Sequence, residues 1–238
     1  MQRIFPSGRD FSYSCTIRSY SKRWLLWVRI TGFAFCLFLV ISTFFLGYND
    51  SIMRYFTQWG LFITSFAQIG LLINHYIGHK IGITIIKTLH MTGKLRKPFL
   101  IVLILFEVSW TSEILITVVF WIFLFKDTLE ARGFEFVHTV LVHVVPFVYV
   151  ALEMGFNQIR FLKFHVRFPL LLLFVWGIVD IAVTFAIDQS AYPILTWHSY
   201  VSSLVALGMI AAIILFFFLG FLLGECKYNK FEKKYTLL

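Results

Sequence analysis

The sequence predicts an all-α fold, a polytopic membrane bundle of about six transmembrane helices with both termini cytoplasmic, and three observations predict it. Of the 238 residues, 59% are hydrophobic and only 14% charged, with a mean hydropathy of +0.82, which is far from the balance of a soluble domain. The apolar residues gather into runs of the roughly 20 needed to carry a helix across about 30 Å of hydrocarbon. Lys and Arg fall in alternate connections between those runs. The strand-like alternation of a membrane β-barrel is missing.

In chain order the runs cover about 25–47, 56–77, 98–125, 136–156, 168–188 and 198–224. The first follows 24 residues and shows no small-residue cleavage site, so it reads as a retained signal anchor. It contains Arg29, whose long stem can snorkel back to the cytoplasmic headgroups. The second opens with "RYFTQWGLFI". The third, at roughly 42 Å, is longer than a crossing needs and holds "EVSWTSE" at its centre, so a tilt or break is expected near Glu107 and Glu113. The fourth is "HTVLVHVVPFVYVALEM", with two histidines, Pro146 and Glu153 inside hydrocarbon-soluble sequence, and the fifth carries Asp180 in "WGIVDIAVTF". The sixth closes on "FLLGE". The division is a basic tail 1–24, a transmembrane domain 25–224 and a second basic tail 225–238, with no repeat or low-complexity segment.

Basic residues in short connections are retained on the cytoplasmic side. Seventeen of the 21 lie in the N-terminal tail (Arg3 to Arg23), the second connection (Lys80 to Lys97), the fourth (Arg160, Lys163, Arg167) and the C-terminal tail (Lys227 to Lys234). The opposite side keeps Arg54, Lys126 and Arg132. The formal charge of +9 is thereby assigned to topology and to anionic lipid headgroups rather than to nucleic acid. Cys15 and Cys226 fall in reducing tails and Cys36 in the first span, so no disulfide framework is implied. A sequon, Asn49-Asp50-Ser51, lies in the first outer loop, close to the membrane. Endoplasmic reticulum and plasma membrane both fit this pattern. His75 and His79, one helical turn apart near the cytoplasmic side, read as solvated rather than metal-ligating, and neither a metal set nor a phosphate-cradling glycine loop is indicated.

With a topology in hand, a rise of about 1.5 Å per residue assigns depth. Thr57 lies at or just below the outer headgroups, His143 roughly 10 Å below the outer end of its span with His138 nearer the surface, and Asp180 about 12 Å from its outer end. A hydroxyl, an imidazole and a carboxylate therefore share one leaflet. Each has a plain structural reading: a membrane threonine returns its hydroxyl to its own helix, and a lone histidine bonds between helices. Intramembrane ionisable groups are nonetheless costly and commonly line a cavity or relay.

The chain resembles the androgen-induced protein and androgen-dependent TFPI-regulating protein family, multi-pass hydrolases of fatty acid esters of hydroxy fatty acids. The resemblance runs from Arg54 to Glu225 and rests on the order and spacing of "RYFTQWGLFI", "VVFWIFLFKD", "HVVPFVYVALEM", "YPIL" and "FLLGE". It implies a threonine nucleophile at Thr57 assisted by His143, with His138 as the alternative base, and a lipid ester as substrate. It gives no role to Asp180, Glu107 or Glu113, which leaves Asp180 a pocket residue at most. The implied chemistry is acyl transfer: neutral His143 takes the Thr57 proton, an acyl-threonine forms, and water releases the fatty acid, so activity falls as acid protonates the imidazole. Pro146 opens room beside the histidine. An oxyanion donor is required; Gln58 and Trp59 are neighbours in sequence, though as interfacial anchors. A lipid-binding protein or receptor, and then a proton-coupled transporter, are the other classes that buried acids and imidazoles serve.

The charge distribution predicts that the loops 48–55 and 126–135 face the lumen or the cell exterior. Glycosylation acceptors introduced into either should be glycosylated. Labelling of both loops by impermeant thiol probes only after the plasma membrane is opened, with no glycan gained, contradicts the assignment.

Overall fold

A computed structural model of the chain describes residues 22–46, 54–81, 96–157 and 159–236. Six helices in it are long and apolar enough to cross a membrane, and no strand occurs among the described residues. They are α1 (Lys22–Phe45), α2 (Phe56–Ile81), α3 (Arg96–Val119), α4 (Phe134–Phe156), α5 (Arg167–Ile187) and α6 (Tyr200–Thr236). α3 runs on through a π-helical segment, Phe120–Leu124, and one further turn, Phe125–Thr128, while a 3-10 turn, Lys163–Val166, leads into α5. The sequon and Cys15 lie outside the described residues, as do Arg3, Arg9, Arg18, Lys87 and Lys94 of the basic clusters.

α3 is the hub. It packs against α2, α4, α5 and α6, while α1 closes the other side against α2 and α4. Burial follows this arrangement: 72% of the most apolar stretch of α3 is enclosed, against 22% for α5 and for α6. The outer faces of α5 and α6 present Phe174, Ile178, Leu204, Leu215 and Leu222, all strongly exposed. Water would penalise such a surface, whereas lipid tails solvate it. The molecule is thus a multi-pass membrane bundle.

Close helix approach needs small residues. A Cβ on Gly60 of α2 would fall 2.3 Å from the Ile116 side chain of α3, so glycine there lets the two helices meet just below Thr57.

Three sequence expectations change. α3 does not break at Glu107 or Glu113, because each carboxylate finds a partner inside the bundle. Glu107 accepts from the Leu162 amide at 2.8 Å and pairs with His165, and Glu113 accepts from the Thr64 hydroxyl at 2.6 Å. The irregularity falls at the π-helical segment instead, where the Phe125 amide bonds the Phe120 carbonyl. Arg29 does not snorkel. Its side chain is 1% exposed, reaches both carboxylate oxygens of Glu153 on α4 and donates to His75 Nδ1 at 3.0 Å. Buried His75 is therefore a member of this network rather than a solvated residue, while nothing is described of the His79 side chain. Asn157 adds a bond to Glu153 at 3.1 Å, and Lys227 of α6 donates to the Met154 and Asn157 carbonyls at the end of α4.

A buried ion pair is most damaging when only half of it is removed. Glu153→Ala leaves the Arg29 guanidinium enclosed and unmatched, and should lower stability in detergent by about 3–5 kcal/mol. The paired replacement Arg29→Met with Glu153→Leu should recover most of that loss. Thermal unfolding of the three proteins decides it; an unchanged transition for Glu153→Ala contradicts the account.

Candidate active site

Thr57 is the second residue of α2, and His143 lies ten residues into α4. Both helices run in the same direction through the bundle, so for the two side chains to meet, α2 must start about 12 Å deeper than α4. It does: Thr57 Oγ1 lies 3.1 Å from His143 Nε2, and both residues are buried. The other ring nitrogen, Nδ1, is 2.6 Å from the Thr139 carbonyl. A carbonyl only accepts, so Nδ1 carries the hydrogen and Nε2 turns its lone pair toward the threonine, which donates. Neutral imidazole in this tautomer is a base aimed at a hydroxyl.

Two further contacts hold His143. Phe120 stacks on it with centroids 4.0 Å apart and planes 13° from parallel. Phe120 is the first residue of the π-helical segment, a local widening that commonly marks functional positions in helices. Thr117 of α3 donates to the His143 carbonyl at 2.6 Å. Pro146, buried one turn on, removes a helix-interior amide without interrupting α4.

His138 points elsewhere. Its Nε2 is 3.4 Å from the Thr43 hydroxyl on α1, and its ring leans on Phe134. Asp180, fully buried on α5, accepts from the indole of Trp197 at 2.7 Å. Its second oxygen and the Thr184 hydroxyl one turn further have no hydrogen-bond partner among the described residues. Asp180 therefore ties down the connection between α5 and α6 rather than the imidazole.

That connection was not singled out from sequence for any role at the site. Within residues 188–199, Asp188 and Trp197 both have positive φ, 54° and 60°, in the left-handed region. Gln189 accepts from Arg54, and the Trp197 amide bonds Ser202 at 2.9 Å. Between these ties Tyr192 and Leu195 dip into the core beside Phe56, Ile116 and Trp176. Tyr192 sits edge-on to Tyr55 and Trp176, with centroids at 5.7 and 6.0 Å. Its hydroxyl bonds the Thr57 side chain and the backbone of Phe56 and Thr57. Burial pushes the phenol up to about 12, so it keeps its proton through the neutral range. The available signal was "AYPILTW": a connection that apolar and aromatic is atypical, because exposed loops are polar.

Thr57, His143 and Tyr192 share the wall of a cavity of about 230 Å3 between α3, α6 and the 192–195 turn. The remaining lining is apolar. Val118 and Phe123 on one side and Gly208 on the other belong to the exposed outer surface. A Cβ on Gly208 would meet nothing within 4 Å. The cavity thus opens sideways, through the seam between α3 and α6, at the surface that faces lipid. Among the described residues no group of three or more His, Cys, Asp or Glu is arranged to hold a metal.

No protein-family model, curated protein or solved structure matches this chain.

Proposed function

We propose that this protein is an integral-membrane lipid ester hydrolase, with Thr57 as nucleophile and His143 as its base, and with fatty acid esters of hydroxy fatty acids as the substrate class. The observation that carries the reading is the 3.1 Å contact from Thr57 Oγ1 to His143 Nε2 in a buried, laterally open apolar cavity. The structural hydroxyls of this bundle donate to carbonyl or carboxylate oxygens, those of Thr43, Ser65, Thr111 and Ser112 within their own helices and those of Thr64 and Thr117 across to a neighbour. Thr57 instead faces an imidazole whose tautomer is set to accept.

An ester reaches the cavity from the bilayer with its acyl chain against the apolar walls. His143 Nε2 removes the Thr57 proton as Oγ1 bonds the ester carbonyl carbon, and the carbonyl electron pair moves onto oxygen. Collapse of this intermediate expels the alkoxide of the hydroxy fatty acid, which takes the proton from His143. Water, activated by the same imidazole, then attacks the acyl-threonine, releases the fatty acid and restores Thr57. The position of Thr57 in the first turn of α2 helps, since the positive end of a helix favours the negative charge that develops there. The topology read from Lys and Arg puts this chemistry in the outer leaflet of the plasma membrane or the lumenal leaflet of the endoplasmic reticulum. A proton relay is less well supported: Arg29 with Glu153 and His75, Glu107 with His165, and Glu113 with Thr64 form separate groups.

Thr57→Ala and His143→Ala should each abolish hydrolysis of a fatty acid ester of a hydroxy fatty acid by purified protein, with expression and thermal stability retained. The double variant should be hardly worse than either, because groups acting in one step are strongly non-additive. Thr57→Ser should keep turnover within about tenfold, since a hydroxyl remains. Full turnover by Thr57→Ala ends the proposal, and loss on His138→Ala but not His143→Ala transfers the base to His138.

A further inference from the structure

An ester hydrolase needs a hydrogen-bond donor at the point where the carbonyl oxygen becomes negative. Only one neutral donor hydroxyl other than that of Thr57 lines the cavity next to the nucleophile, and it belongs to Tyr192. Building on the hydrolase reading, we propose that Tyr192 is a catalytic residue: its phenol O–H donates to the oxyanion of the intermediate formed on Thr57.

The geometry supports this in three ways. The phenol oxygen lies against the backbone of Phe56 and Thr57, the first two residues of α2. Amides in a first helical turn have no partner within the helix, so they donate to the phenol oxygen and polarise its O–H bond. The same oxygen also touches the Thr57 side chain. With its lone pairs occupied by the amides, the phenol has its hydrogen left to give, in the resting protein to Thr57 Oγ1 and after attack to the adjacent carbonyl oxygen. Finally, the ring is fixed. Tyr55 and Trp176 pack its edges, and the turn that carries it is tied down through Trp197 to Asp180. A donor held before the reaction costs no reorganisation when charge appears.

During the step, Oγ1 bonds the carbonyl carbon, its proton passes to His143 Nε2, and the carbonyl electron pair becomes the oxyanion. Tyr192 keeps its proton and shares it in a hydrogen bond. Reformation of the carbonyl expels the alkoxide, which His143 protonates. The phenol serves again when water attacks the acyl-threonine.

Tyr192→Phe removes the hydroxyl and keeps the ring packing. It should lower kcat about 10²- to 10³-fold with little change in KM, while thermal stability in detergent stays close to that of the native protein. A second variant carries 3,5-difluorotyrosine at position 192. Its more acidic phenol should bring a loss of turnover into the range from about pH 8 to about pH 10, where the native phenol stays protonated. A purely structural tyrosine would not move that profile. If Tyr192→Phe turns over at the native rate while Thr57→Ala is dead, the Tyr192 proposal fails and the hydrolase reading stands. If Thr57→Ala is itself active, the hydrolase reading has failed. If Tyr192→Phe is inactive only because it unfolds, the difluorotyrosine profile decides: no alkaline shift overturns the proposal.

Discussion

A polar side chain inside hydrocarbon has no water to turn to, so it must be satisfied by another part of the protein. That constraint organises this bundle. Arg29 reaches across to Glu153 and His75; Glu107 pulls the Leu162–His165 segment onto α3; Asp180 draws Trp197 inward. The first two ties join elements 46 to 124 residues apart, the third folds a connection back onto the helix before it, and each leaves a helix free to present lipid-compatible residues outward. Apolar packing gives little preference for one helix rotation over another when the surroundings are equally apolar, so these polar ties specify which faces turn inward.

The Thr57–His143 contact depends on the same constraint, but with a difference. In the Arg29–Glu153 network, charge is matched by charge. Around His143, the ring meets a carbonyl and a stacked phenylalanine, and the residue's own backbone carbonyl accepts from a threonine, all neutral. The unprotonated nitrogen meets a hydroxyl beside a cavity open to the lipid face. Rigid support with one unsaturated basic atom is what a general base requires. The turn from 188 to 199 supplies the opposite wall, and its own ties are polar ones made at the outer end of α5.

Much of this was legible in sequence, because hydropathy is a local property. The six spans fall within a few residues of the expected runs, and Thr57 and His143 share the half of the bundle expected of them, but counting from the span ends left them about 10 Å apart in depth, a gap closed by the deeper start of α2. What was not legible depends on partners distant in the chain. Nothing in the run around Arg29 announces Glu153, 124 residues away, and a break at Glu107 looked necessary only while His165 was unknown as its partner. The π-helical widening at Phe120 has no composition signature, since "FWIFL" is as apolar as its neighbours. Tyr192 enters the sequence only as the first residue of "YPIL", a landmark of the resemblance with no role attached, inside an oddly apolar connection; its approach to α2 depends on how α5 and α6 pack.

The central claim is that the Thr57 oxygen is the atom that becomes acylated. Mapping by mass spectrometry the residue modified by an activity-based fluorophosphonate, on the purified full chain in detergent, tests it most directly. The account predicts one phosphonyl adduct on Thr57, formed in proportion to the loss of ester turnover and absent when His143 is alanine. An adduct on another side chain, with turnover lost and Thr57 unmodified, would contradict it.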